Sequence, residues 1–195
     1  MNISFNDSSP LTKYKILSNT ITPRPIAWIS TISENGVLNL APFSFFGVLS
    51  ADPVIFSVCI SPKSNGEIKD TLKNILKNQK ASISMIEQNN LKSLHQSSQE
   101  LPYEVSEAIN FNIGMHIIHS NYPPIPKEIN VAFMCEFYDL LNIGKNSQSL
   151  LLEAKECFID DKVYTQDLHF ILKNIGRVGN YYQLPNQFIQ SKDLL

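Results

Sequence analysis

Charge is sparse and β-branched or aromatic residues dominate in Ile26–Ser33, Val54–Ile60 and Asn130–Asn142, the pattern of strands buried in a sheet. Lys80–Ile86 reads the same way, and Gln148–Ile159 reads as the antiparallel partner of Asn130–Asn142, returning after Gly144. Glu34-Asn35-Gly36 is a turn, because Asn-Gly suits the positive φ angles of a tight hairpin. The return strand starts at Val37–Leu40 and is expected to stop early, where Asn39, Pro42, Phe43 and Ser44 interrupt the apolar run with an amide, a ring and a hydroxyl. Pro23 and Pro25 flank Arg24 just before the hairpin, and each ring fixes its own φ. Helical periodicity appears over Glu67–Asn78, with Ile68, Leu72, Ile75 and Leu76 on one face and lysines on the other. Glu87–Ser98 reads as a helix with Leu91 and Leu94 inward, and Pro10–Leu17 as a short one. Residues 100–127 follow no period, and 168–175 read as a short helix or extended segment before the closing GRVGNYYQL. Five to seven closely spaced strands without βαβ alternation predict a single mainly β (α+β) domain, an antiparallel barrel with short peripheral helices.

Composition narrows the function classes. Sixteen basic residues against 18 acidic ones leave no footprint for nucleic acid and no polybasic membrane patch. No apolar run approaches the roughly 18 residues of a membrane span. The start, MNISFNDSSP, lacks the basic and apolar parts of a signal peptide, so a cytoplasmic location is expected. Cys59, Cys135 and Cys157 lie far apart among apolar neighbours, without a CxxC, and read as reduced core thiols.

No GxG occurs among the seven glycines, which excludes a Rossmann fingerprint; GxxxxGK[ST] and GxSxG are also absent. His116 and His119 would share a face on a helix, with Cys135 as a further metal ligand, but would point apart on a strand. The plainer reading is a structural or surface pair. SPKSNGEIKDTLKNI is more informative: Lys63, Ser64, Lys69 and Thr71 surround the start of a helix, whose backbone N–H groups favour anions. Asp70 is placed to cap or orient those donors. The competing reading is an ordinary amphipathic helix with a solvated lysine face. Trp28, Phe43, Phe45 and Phe46 are able to stack on a flat ring or simply to fill the core, and Arg24 to pair with a phosphate or an acidic neighbour.

The series PRPIAWIST (Pro23–Thr31), an Asn-Gly turn, NLAPFS (Asn39–Ser44), KDTLKNI (Lys69–Ile75), Pro-Pro-Ile (Pro123–Ile125), Glu136 and GRVGNYY (Gly176–Tyr182) resembles the flavin reductase-like family of FMN-binding split barrels, the flavoredoxin type. The matches run in order through nearly the whole chain, residues 100–121 excepted. The resemblance implies one split-barrel domain over residues 1–195 that forms a homodimer and binds FMN, with NADH or NADPH as reductant. Carried over by position, Ser30, Thr31 and Asn39, Ala41, Pro42, Phe43 and Ser44 would flank the ring and ribityl chain. Ser57, Lys63, Lys69 and Thr71 would surround the phosphate, and Asn180 with its tyrosines would close the site. Arg24 and Trp28 belong to the same candidate set. Leu150–Ala154 and Val178 depart from the family pattern, and are expected to narrow the substrate side. An NAD(P)H-dependent flavin reductase is the leading reading. An FMN-binding carrier fed by a protein donor and a flavin-free interaction module are the alternatives. The chemistry would lie on the flavin, and no catalytic dyad is expected.

Overall fold

The computed structural model describes residues 2–143 and 148–186, so the return at Gly144 lies outside the described residues. Its centre is a seven-stranded antiparallel sheet in the order β2-β1-β5-β8-β9-β4-β3. The strands are β1 (Ala27–Ile32), β2 (Leu38–Phe43), β3 (Phe46–Ala51), β4 (Val54–Ile60), β5 (Lys80–Met85), β8 (Val131–Leu141) and β9 (Gln148–Ile159). Short pairs β6 (Met115–His116) with β7 (Ile125–Pro126), and β10 (Gly176–Val178) with β11 (Tyr181–Gln183), lie outside it. Among the described residues no helix is long and apolar enough to cross a membrane.

The sheet curls, and its faces carry separate cores. Ala27 and Ile29 of β1 share one core with Phe43 of β2, Phe56, Val58 and Ile60 of β4, and Ile83 of β5. Trp28, one position out of phase, joins Leu40, Ile86, Leu94 and Met134 on the other face. Burial on both faces explains why β1 reads as an unbroken apolar run rather than an alternating one. The Asn35-Gly36 turn forms as expected, with Gly36 at φ +78° and its N–H donating to the Ser33 carbonyl at 3.0 Å.

Several elements differ from the sequence pattern. β2 does not stop at Leu40 but continues through Pro42 to Phe43. Its Leu40 N–H points away from β1 and donates to Glu107 on α4 (Glu107–Asn110). Pro42, two residues on, therefore has its missing N–H on the same outer edge, where no ladder bond is lost. β3 carries no clear sequence signal, being short and exposing Val48 and Leu49. The first helix, α1 (Pro10–Thr20), runs three residues beyond Leu17 and is capped by Ser9, whose Oγ accepts from the Thr12 N–H. The lysine-bearing helix, α2 (Asp70–Asn78), starts later than its pattern suggests. It buries Leu72 and Ile75 together with the polar Thr71 and Asn74, while Ile68 and Leu76 are exposed. Glu87–Ser98 breaks into a single tight turn and the short helix α3 (Leu91–Gln96), which buries Leu94. Residues 168–175 form no regular element, but Ile175 donates to Ile86.

The cysteines are all free, yet only Cys135 is a core thiol; Cys59 is half-buried and Cys157 exposed. His116 ends β6, and His119 lies beyond it, 3.7 Å from Glu156 and edge-on to Tyr122.

Pro23-Arg24-Pro25 reaches the sheet beside the C-terminal hairpin. Arg24 and Arg177 exchange backbone hydrogen bonds of 3.1 and 2.9 Å. A Cβ at Gly176 would collide with the Pro23 ring, so only glycine permits this approach.

Candidate functional site

The two stretches singled out in sequence meet. Asn39, on edge strand β2, donates from Nδ2 to Thr71 Oγ1 at 2.8 Å. Thr71 stands in the first turn of α2, and both residues are buried. Behind them Thr31 Oγ1 accepts from Asn39 at 3.3 Å and from Asn74 at 3.0 Å. Tyr103 donates to Asn74 Oδ1 at 2.8 Å. Thr31, Asn39, Thr71 and Asn74 are buried and Tyr103 half-buried, so each unmade bond among the four would cost about 1–3 kcal/mol; the network fixes the helix tip against the strand edge.

A cavity of about 60 Å³ opens over this junction, lined by Asn39–Phe43 (Leu40 excepted), Lys63, Lys69–Thr71, residues 97–101 and Glu107. The first residue before α2 is Lys69, which makes no side-chain cap, so the helix presents its N–H dipoles toward the cavity uncapped. Lys63 pairs with Asp70 at 2.6 Å and Lys69 with Glu100 at 2.8 Å. The Glu100 carboxylate also accepts from Ser64, at 3.2 Å from its N–H and 2.6 Å from its hydroxyl. Hydrogen bonds from Lys69, then from Ser64, lower its pKa to about 2. Glu107 is the opposite case: burial raises its pKa, and the 2.9 Å hydrogen bond from Leu40 only partly offsets this.

Pro42 and Ser98 also border a second cavity of about 180 Å³, which continues along β2 past Ser44 to Tyr14, Ile26, Leu94, His95, Arg177 and Tyr182. His95 Nδ1 and Tyr182 Oη are 3.1 Å apart, and the Arg177 guanidinium lies over the Tyr182 ring. The result is one groove with a lysine-bearing end and an aromatic end.

Nine of the fourteen sequence candidates line this groove or its network: Thr31, Asn39, Ala41, Pro42, Phe43, Ser44, Lys63, Lys69 and Thr71. The others stand elsewhere. Trp28 is wholly enclosed in the core, with Nε1 donating to Ser97 at 2.9 Å, so its ring faces no ligand. Ser30 is buried and donates to the Pro124 carbonyl at 2.6 Å. Ser57 does not line the cavity of Lys63, Lys69 and Thr71; on β4 it borders a third, more apolar cavity with Arg24, Leu17, Ile21, Val48 and Leu49, which shares Ser44 with the aromatic end of the groove. Arg24 is buried, donating to the carbonyls of Ser18 and Ile21 and to Ser44, while its Nε has no partner and burial lowers its pKa. Asn180 is exposed in the β10–β11 turn. Neither Leu150–Ala154 nor Val178 lines the groove. Glu100, Tyr103 and Glu107 were invisible in sequence because they come from the aperiodic stretch after α3. The tyrosine of the closing motif that reaches the groove, Tyr182, was marked only through its neighbour Asn180.

Residues 19–178 match the model of the flavin reductase like domain. The chain belongs to the flavin reductase-like family. A family relative, the Bacillus subtilis protein YwrF, is 32% identical over 181 residues, with 87% of each chain covered. Among solved structures, nitrilotriacetate monooxygenase component B from Bacillus cereus is similar at a TM-score of 0.90 and 24% identity, covering 97% of this chain and 98% of that one. An FMN-binding protein from Thermus thermophilus aligns at a TM-score of 0.77 and 19% identity, covering 97% of this chain and all of that one (100%). These likenesses identify the sheet as the split barrel of flavin reductase-like proteins.

In this flavin reductase-like domain, Glu107 titrates against the fold. A carboxyl whose folded pKa is raised binds its proton more tightly when folded, so its contribution falls as pH rises from its ordinary value through the raised one. Glu107→Gln keeps an acceptor for Leu40 and removes the buried charge. It should raise Tm by about 2–4 °C at pH 8, the shift expected for roughly 1 kcal/mol, with the gain vanishing below about pH 4.5. Thermal melts of both proteins across pH measure this; a gain that persists undiminished in acid would contradict it.

Proposed function

We propose that this protein is a flavoprotein oxidoreductase that binds FMN along the β2 groove and reduces it with NADH or NADPH. The observation that carries this reading is the Asn39–Thr71 junction, which sets a strand edge against an uncapped helix tip within a flavin reductase-like domain. The donor set suits the ligand. Lys63, Lys69 and the first N–H groups of α2 would hold the phosphate, and Asn39 would fix Thr71 beside it. Ala41, Pro42 and Phe43 would form the wall of the groove, and Ser44, His95, Arg177 and Tyr182 would line its ring end.

When bound, flavin supplies the hydride chemistry itself. The chain's own work is then to anchor the phosphate, orient the ring and limit water along one of its faces. With no dinucleotide motif, the nicotinamide would be held by few contacts, so its affinity is expected to be weak. The homodimer implied by the family resemblance would use the apolar cavity beside α1 and β3, where Leu17, Ile21, Val48 and Leu49 are 40–68% exposed.

Mixing the FMN-loaded protein anaerobically with NADH or NADPH should bleach the flavin absorbance with at least one of them in stopped flow; bleaching by neither favours an electron carrier reduced by a protein donor. Lys69→Ala should weaken FMN binding about 10- to 150-fold, the loss of one charge-assisted hydrogen bond, and leave riboflavin affinity within about twofold in fluorescence titrations. Equal losses for both ligands would remove the phosphate from this tip. Sedimentation at micromolar concentration should give a dimer, and Leu49→Asp should shift it toward monomer; a monomeric wild type would refute the apolar interface.

A further inference from the structure

The groove holds a carboxylate at the position where a phosphate would be recognised. Glu100 takes bonds from Lys69 Nζ, the Ser64 N–H and the Ser64 hydroxyl at 2.6–3.2 Å, a donor set of the kind that binds a phosphate oxygen. Asp70 and Glu107 are the other carboxylates lining the cavity, and neither is free to leave. Asp70 starts α2 and holds Lys63, while Glu107 is buried and tied to the Leu40 N–H. Glu100 has its side chain 36% exposed and follows the turn at residues 97–99. Asp70 and Glu100, paired with Lys63 and Lys69, already balance the two lysine charges, and Glu107 adds a third carboxyl to the lining. A dianionic phosphate arriving at the same donors would meet an occupied and like-charged site.

We propose that Glu100 is an internal surrogate for the flavin's phosphate, which FMN must displace to bind and which reoccupies Lys69 and Ser64 as FMN leaves. The inference rests on the FMN reading given above and deepens it. Glu100 sets how tightly the phosphorylated flavin is held relative to the unphosphorylated one, and it keeps bound flavin exchangeable. Its carboxylate stays ionised throughout the neutral range, its pKa being held near 2, so any pH dependence of the competition between about pH 5 and 8 comes from the second ionisation of the phosphate, at about pH 6. The displaced side chain loses hydrogen bonds only to the exposed Ser64 and the half-buried Lys69, both outside the barrel strands, so the exchange needs no rearrangement of the barrel.

The test compares wild type, Glu100→Gln and Glu100→Ala by fluorescence titration with FMN and with riboflavin, and by the rate of FMN release into excess apoprotein. Removing the competing charge should tighten FMN binding about tenfold in Glu100→Ala and somewhat less in Glu100→Gln, with slower release and riboflavin affinity within about twofold. FMN affinity that is unchanged or weaker in Glu100→Ala, or an equal gain for riboflavin, overturns the proposal. Should wild type and variants bind neither flavin, the FMN reading itself fails, and inorganic phosphate decides on Glu100 alone. Phosphate must then raise the Tm of Glu100→Ala more than that of wild type; equal shifts overturn the surrogate role.

Discussion

The 2.8 Å hydrogen bond between Asn39 and Thr71 joins the parts of this molecule that otherwise have separate reasons to exist. β2 is held by its pairing with β1, and α2 by Leu72 and Ile75 in the barrel core. Neither attachment alone fixes how far the helix tip stands from the strand edge. The buried polar network of Thr31, Asn39, Thr71 and Asn74, joined from its rim by Tyr103, does so, because enclosed amides and hydroxyls tolerate few alternative arrangements. An apolar contact of the same size would allow sliding; this one sets a register.

The charges around the junction follow from that geometry. The uncapped N-terminus of α2 and two lysines concentrate positive potential at the tip, and three carboxylates answer it from different elements. Their burial separates them. Glu100, at the surface and well bonded, stays ionised, while Glu107, enclosed against Leu40, has its pKa pushed upward. The lysine end of the groove is therefore built around exchangeable negative charge, whereas Tyr14, Tyr182 and Arg177 give the far end a flat, polarizable lining.

Much of this was legible in the chain because local chemistry and tertiary structure agree. The Asn35-Gly36 turn, the β4 strand at Val54–Ile60 and the lysine-bearing helix each follow from short-range pattern. Thr71 and Lys69 were marked by their place at a helix start, and Asn39 by an amide amid apolar residues. What pattern missed depends on distant partners. β2 runs through Pro42 only because its outer edge is covered by α4 rather than by another strand. Trp28 and Ser30, close in sequence to the site, are turned away by the period-two alternation of β1 into contacts with Ser97 and Pro124. Ser57 lies on β4, beyond the end of β2, in the cavity lined by Arg24 and Ser44 rather than beside the lysines. Glu100 and Glu107 come from a stretch without periodicity, whose course is set by what it covers and not by its own composition.

The central claim is that one mononucleotide spans the strand edge and the helix tip. It is tested most directly by amide chemical-shift mapping of the isotopically labelled protein during titration with FMN. Amides of residues 39–44, Pro42 excepted, and of 69–72 are predicted to shift together at the same ligand concentration. Shifts confined to one of these stretches, or centred on β3 and Ser57 with residues 69–72 unmoved, would contradict it.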